Sequence, residues 1–117
     1  MAIQVQEFSG LATASPLDAS RGASNTGTAA DSGALTPSSA SGIAVGFVAG
    51  HSTVQTIAFG PASYASQPQQ TSSNGGATPV SIVSGFRVLS TVDPQNVTGS
   101  FSGTMYWATG IAIFKTA

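Results

Sequence analysis

His51 is the only histidine in the chain, Lys115 is the only lysine, and there is no cysteine. Those facts narrow the available chemistry. A thiol nucleophile, a zinc ribbon and a disulfide framework all need sulfur and are excluded. A general base at His51 needs a partner at a telling spacing, and Gly50-His51-Ser52 supplies none, so it reads as a loop histidine. The four carboxylates, Glu7, Asp18, Asp31 and Asp93, are scattered along the chain. A glycosidase pair can be distant in sequence. Here, however, Asp18 and Asp31 stand in turn-like surroundings and Asp93 precedes Pro94, where a carboxylate bonds nearby backbone. No acidic loop has calcium-binding spacing. Gly99-Ser100-Phe101-Ser102-Gly103 has the outline of a nucleophile elbow, but Phe101 holds the central position and no helix follows. A lysine only at the C-terminal end argues against an internal isopeptide bond to Glu7. The reading is of a chain that is not an enzyme, with no catalytic residue, no cofactor and no metal ligand.

Among the aromatic residues, Tyr64, Tyr106 and Trp107 are of the type that stacks on a sugar ring. Trp107 alternates with Ile111 and Ile113 and belongs to packing, which leaves Tyr64 and Tyr106 as candidate glycan contacts. Asn96-Val97-Thr98 is a glycosylation sequon where the host uses one. Gly42, Gly46 and Gly50 recur at every fourth position. Set among β-branched residues, they point to close strand packing rather than to a membrane-helix interface.

The elements that would position these residues must be built from an unusual composition. The 117 residues suit one domain, and only 6% of them are charged, with a net charge of -1. Ala, Gly, Ser and Thr together supply 63 residues, while Leu, Ile, Val and Phe supply 25. A chain this close to neutral does not fit the disordered class, which couples low hydrophobicity to high charge. Three basic residues cannot neutralise many phosphates, so nucleic acid is not an expected partner. The start of this chain lacks the basic-then-apolar pattern of a signal peptide. The longest apolar run, 42–50, is nine residues, about half a membrane span.

Helical periodicity is nearly absent, and short Val-, Ile-, Phe- and Thr-rich runs bounded by turn residues read as strands. Residues 2–8 alternate, with Ile3 and Val5 on one face and Gln4 and Gln6 on the other. One or two strands fall near 25–30 and 33–36. The run 42–49 is apolar on both faces and fits a buried central strand. Further strands are expected at 53–59, 80–90, 96–102 and 105–114, the last three as a meander with a tight turn at Ser102-Gly103-Thr104. Val80, Ile82, Phe86 and Val88 share one parity, and Val97 and Phe101 face inward. Residues 61–79 form a long polar loop, with a short strand near Tyr64. About seven short strands predict an all-β antiparallel β-sandwich, of jelly-roll or Ig-like type, in a single domain over 1–117. In the final strand Met105, Trp107, Ile111 and Ile113 share one face, and Tyr106, Ala108, Ala112 and Phe114 share the other. Both faces are apolar, so this strand must be central or covered by something else.

The stretches Gln6-Glu7-Phe8-Ser9-Gly10-Leu11, Asp31-Ser32-Gly33-Ala34-Leu35-Thr36-Pro37, Phe86-Arg87-Val88-Leu89-Ser90-Thr91 and Trp107-Ala108-Thr109-Gly110-Ile111-Ala112-Ile113-Phe114-Lys115 carry a resemblance. They resemble a poorly characterised class of bacterial extracellular β-sandwich domains, specifically the C-terminal part of the module. The resemblance implies an extracellular or cell-surface location and brings no catalytic residues. In that class the Glu-Phe-Ser-Gly-Leu segment falls mid-domain, so the resemblance implies that the first strands are lacking here and an apolar face is left uncovered. Such edges and faces template association. The expected function is a structural, self-associating subunit of an extracellular assembly such as a filament, layer or particle coat. Its expected partners are other copies of itself, through Ile3, Val5, Tyr106, Ala108, Ala112 and Phe114. The alternative is a carbohydrate-binding or adhesive module that takes polysaccharide on Tyr64 and Tyr106.

Overall fold

The computed structural model describes residues 2–52, 56–72 and 79–117, and the fold is all-β. Among the described residues seven strands are formed: β1 Leu17–Asp31, β2 Gly42–His51, β3 Ile57–Gly60, β4 Ala65–Ser66, β5 Gln70–Thr71, β6 Val80–Leu89 and β7 Thr98–Lys115. They join in one antiparallel hydrogen-bonded sheet of order β1-β7-β2-β6-β4, with β3 also paired to β7 and β5 to β6. No helix among the described residues is long and apolar enough to cross a membrane.

β7 organises the sheet. Its 106–115 stretch lies between β1 and β2, and its 98–101 stretch lies between β1 and β3. An extended strand of 18 residues would span about 60 Å. The molecule is 45 Å in its longest dimension, so β7 must bend. The bend is visible in the register: Gly27 pairs with Met105 and Ala29 with Ser100, so Thr28 alone faces the four β7 residues 101–104. The expected turn at Ser102-Gly103-Thr104 is therefore a bulge within one strand. The chain does not reverse there because β1 pairs with β7 on both sides of it, and a bulge adds local twist without ending the ladder.

Two other expected features are corrected. Strands 80–90, 96–102 and 105–114 do not form a meander, because β2 inserts between β6 and β7. Residues 2–8 form no strand; they lie across the sheet rather than along its edge. Of the expected strand 53–59, residues 53–55 lie outside the described residues. The polar stretch 61–79 contributes two short pieces, β4 and β5, that pair with β6.

The core forms on one face, here called inner. β2 presents Gly42, Ala44, Gly46, Val48 and Gly50 to it, and all five are buried. These small residues let other segments come down onto the sheet. A Cβ at Gly46 would collide with Val97 Cγ1, and one at Gly50 with Met105 Sδ. Val97 is fully buried, worth about 2 kcal/mol of apolar transfer. Past the bend, Ala30, Ile57 and Phe101 pack with Val48, Val83 and Met105 in one cluster. At the other end Ala44, Tyr64, Leu89, Val97, Ile111 and Ile113 form a second. The glycine spacing thus serves close packing.

Gly46→Ala is expected to lower the unfolding free energy by about 1–3 kcal/mol in urea titrations. Val97→Ala also destabilises alone, but together the two lose less than their sum, since the smaller side chain relieves the collision. Strict additivity would show that the collision is not the cause.

Candidate functional site

The pairing that sends the small residues of β2 inward sends its bulky ones outward. Ile43, Val45, Phe47, Ala49 and His51 therefore occupy the opposite, outer face. In β6 the buried positions are Ser81, Val83, Gly85 and Leu89. Val80, Ile82, Phe86 and Val88, the shared parity seen in the sequence, lie outside. β7 sends out Tyr106, Ala108, Gly110, Ala112 and Phe114. No Asp, Glu, Lys or Arg stands among these outward positions. Sheets of this kind bury one apolar face and wet the other. This sheet is apolar on both, and on β2 the outer set is the bulkier.

Part of the outer face is covered by the chain's own N-terminal segment. The Gln6 side-chain amide donates to Ser84 Oγ at 2.8 Å, the Ser84 hydroxyl donates to Gln4 Oε1 at 2.6 Å, and the Gln4 amide donates to the Pro68 carbonyl. The Phe8 and Phe86 rings meet edge to face at 5.2 Å. Ala12 N–H bonds the Lys115 carbonyl and Ala117 N–H the Gly10 carbonyl, which fixes the far end of the segment. Because Gln4 and Gln6 point down, Ile3 and Val5 point away from the sheet, and Val5 is 81% exposed. A groove of about 840 Å³ runs between the segment and the sheet, lined by Phe8, Leu11, Val45, Phe47, Ile82 and Phe114 among others. Gln6 Oε1 is buried there with no hydrogen-bond partner.

The other end of the outer face is open. Tyr106 is 60% exposed, Ala108 is exposed, and the Tyr106 and His51 rings stack at 5.1 Å with a 26° tilt. Phe47 lies over Gly110, whose missing Cβ would sit 2.8 Å from the ring. Among the described residues eight large apolar side chains are exposed, and Ile3, Val5, Phe47, Val80, Val88 and Tyr106 are on this side. The structure thus brings Tyr106 and Ala108 together on open surface. It places Ala112 and Phe114, both partly buried, at the covered end, with Ile3 and Val5 on the segment above.

Tyr64 lies elsewhere. It is 5% exposed, packs in the second core cluster, and its hydroxyl donates to Gln95 Oε1 at 3.0 Å. Burial raises its pKa from 10 to about 12, opposed by the positive charge of Arg87. Gln95 is itself fixed by paired backbone bonds to Leu35, which joins three connecting segments under one phenol. The three aspartates are held by hydrogen bonds, Asp18 by the Ser38 hydroxyl and backbone, Asp31 by Gly33 N–H and the Asn96 amide, Asp93 by the Thr91 hydroxyl, and Glu7 is exposed on the N-terminal segment. The Ser38 bonds, first the hydroxyl, lower the pKa of Asp18. Among the described residues no three histidine or acidic side chains converge as a metal site would require.

Sequence reasoning missed Phe47, Val80, Val88 and His51 as members of this surface. The signal that would have found them is the opposite parity of β2, whose small residues mark the side approached by other chain segments. Comparisons with protein-family models, curated proteins and solved structures find no match.

Tyr64→Phe is expected to cost about 1–3 kcal/mol at neutral pH, because it leaves Gln95 Oε1 buried and unpaired. The folded phenol stays neutral to about pH 12, whereas the unfolded one ionises near 10. Its stabilisation is therefore intact below pH 10 and lost as pH rises towards 12. Urea midpoints of the two proteins should converge across that window.

Proposed function

We propose that the chain is a non-enzymatic structural subunit that associates with copies of itself through the outer face of its sheet. The observation that carries this reading is the outer face of β2, β6 and β7: its strand positions carry no Asp, Glu, Lys or Arg and its bulky side chains turn away from the core, with Glu7 exposed on the segment above. Such a face fits the desolvated centre of an interface, where charged residues are depleted and aromatic ones enriched. A net charge of -1 leaves little repulsion between copies. The bent end of the sheet, which packs Ala30, Ile57 and Phe101 over Val48 and Val83, supports a sandwich of jelly-roll type, its second layer made by the same sheet. For the setting we infer an extracellular assembly, a filament, layer or particle coat, as the resemblance read in the sequence to bacterial extracellular β-sandwich domains implies.

Ala108 is exposed at the open end of this face, so Ala108→Lys places a charge there without disturbing the core. The wild-type protein is expected to associate in sedimentation-equilibrium runs at high micromolar concentration, and Ala108→Lys to weaken that association at least about tenfold. A wild type that stays monomeric throughout that range overturns the reading.

A second reading, a carbohydrate-binding or adhesive module, is favoured by one observation. Phe47 over Gly110 and Tyr106 beside His51 form two ring platforms on the same face. They lie four β7 positions apart, about 13 Å. A linear polysaccharide laid along β7 would meet both. Tyr64, being buried, takes no part. Affinity electrophoresis against plant, fungal and bacterial polysaccharides tests this reading. Retardation lost in both Tyr106→Ala and Phe47→Ala favours it, and no retardation on any of them removes it.

A further inference from the structure

β1 is the edge strand of the sheet, and its ladder shows which backbone groups remain free. Thr26 N–H is bonded by the Asn25 side chain at 2.8 Å, so it does not point at β7. At the other end of the ladder Lys115 N–H bonds the Pro16 carbonyl and the Lys115 carbonyl accepts from Ala12, so odd-numbered β7 residues point towards the β1 side. Their partners Ala19, Arg21, Ala23, Asn25 and Gly27 are the β1 residues that bond β7. Ser20, Gly22, Ser24 and Thr26 therefore turn their N–H and C=O groups outward. Among the described residues no strand pairs with that edge.

Long edges are normally blunted by proline, lysine, bulges or inward charges. From 19 to 27 β1 has no proline, no lysine and no bulge. Its single charge, Arg21, is drawn back to the Ala34 carbonyl. The outward residues are small and do not obstruct a second strand. Antiparallel pairing is self-complementary, so a second copy of this chain fits this edge with no further requirement.

We propose that two copies join edge to edge through β1 about a two-fold axis at Ala23, pairing Gly22 with the partner's Ser24 and Ser20 with the partner's Thr26. The central pairs form about four backbone hydrogen bonds at once. The outer pairs form when the Asn25 amide releases Thr26 N–H, so Asn25 acts as a guard on this edge. The axis is perpendicular to the sheet, so the two outer faces lie side by side and their apolar strand positions form one doubled surface. This pairing rests on the self-association reading and supplies the edge on which it operates.

Sedimentation equilibrium on the wild type, Ser24→Pro and Ala108→Lys tests it, together with mild oxidation of Ala23→Cys. Proline at 24 removes an outward N–H and leaves the β7 ladder its bonds, as edge prolines do. Ser24→Pro is expected to weaken association at least about tenfold. Ala23→Cys, in a chain with no other cysteine, is expected to give a disulfide-linked dimer, because residues opposed across the axis lie about 4.5 Å apart. Wild-type association in Ser24→Pro, with Ala23→Cys remaining monomeric, overturns the edge pairing; if Ala108→Lys alone weakens association, the face reading stands without it. Sensitivity to Ser24→Pro but not to Ala108→Lys supports the edge and removes the face. If Ser24→Pro does not fold, the Ala23→Cys cross-link decides. A wild type that is monomeric throughout overturns both.

Discussion

Val97 and Met105 rest on Gly46 and Gly50, and the rest of the molecule follows from that close approach. Side chains in a strand alternate, so if one parity of β2 must be small to admit its neighbours, the bulk of β2 has only one other direction to take. The register then fixes the parity of β6 and β7 beside it, since a one-residue slip would exchange the two faces of every paired strand. The outer surface is thus the by-product of how the core closes. Its apolar character on β2 belongs to Phe47 and Val45, residues of the parity opposite to the small, core-facing one.

The bend in β7 does the complementary work. Without the bend, the inner face at Val48 and Val83 would lose Ala30, Ile57 and Phe101, the residues that pack on it. Four β7 residues against Thr28 turn the far end of the ribbon back, and Phe101 reaches the same cluster that Met105 anchors. One long strand thereby contributes to two places in the core. The small side chains of β1 tolerate the distortion.

How much of this was legible depended on whether side-chain pattern or backbone pairing was in charge. The 80–90 and 105–114 strands were plain, because Val, Ile and Phe recur there with period two. Which face was the core was not, because alternation is silent on direction when both parities are apolar. β1 was visible only in part, as 25–30: its Ser, Ala, Gly, Thr and Asn residues carry no apolar rhythm, and the ladder to β7 holds it. Residues 2–8 show the reverse error. Their alternation is real, but it records glutamines bonding Ser84 from above the sheet. Ser102-Gly103-Thr104 reads as a tight turn between two strands, because small polar residues with glycine signal reversal and bulge alike; the pairing of β1 on both sides makes it a bulge. Tyr64 reads as an exposed sugar-stacking ring in a polar loop, but it is buried, and its bond to Gln95 brings together segments that the sequence gives no reason to join.

The lack of formal charge at the outer strand positions decides which variables govern contacts made there. Screening by simple electrolytes has little to act on beyond Glu7 of the covering segment and Arg21 beside the groove, so ionic strength is a weak handle for the strand positions themselves. Burial of apolar area weakens on cooling and strengthens in sulfate or phosphate. Chill and strongly hydrated anions would therefore be the levers on any contact made there, in opposite directions.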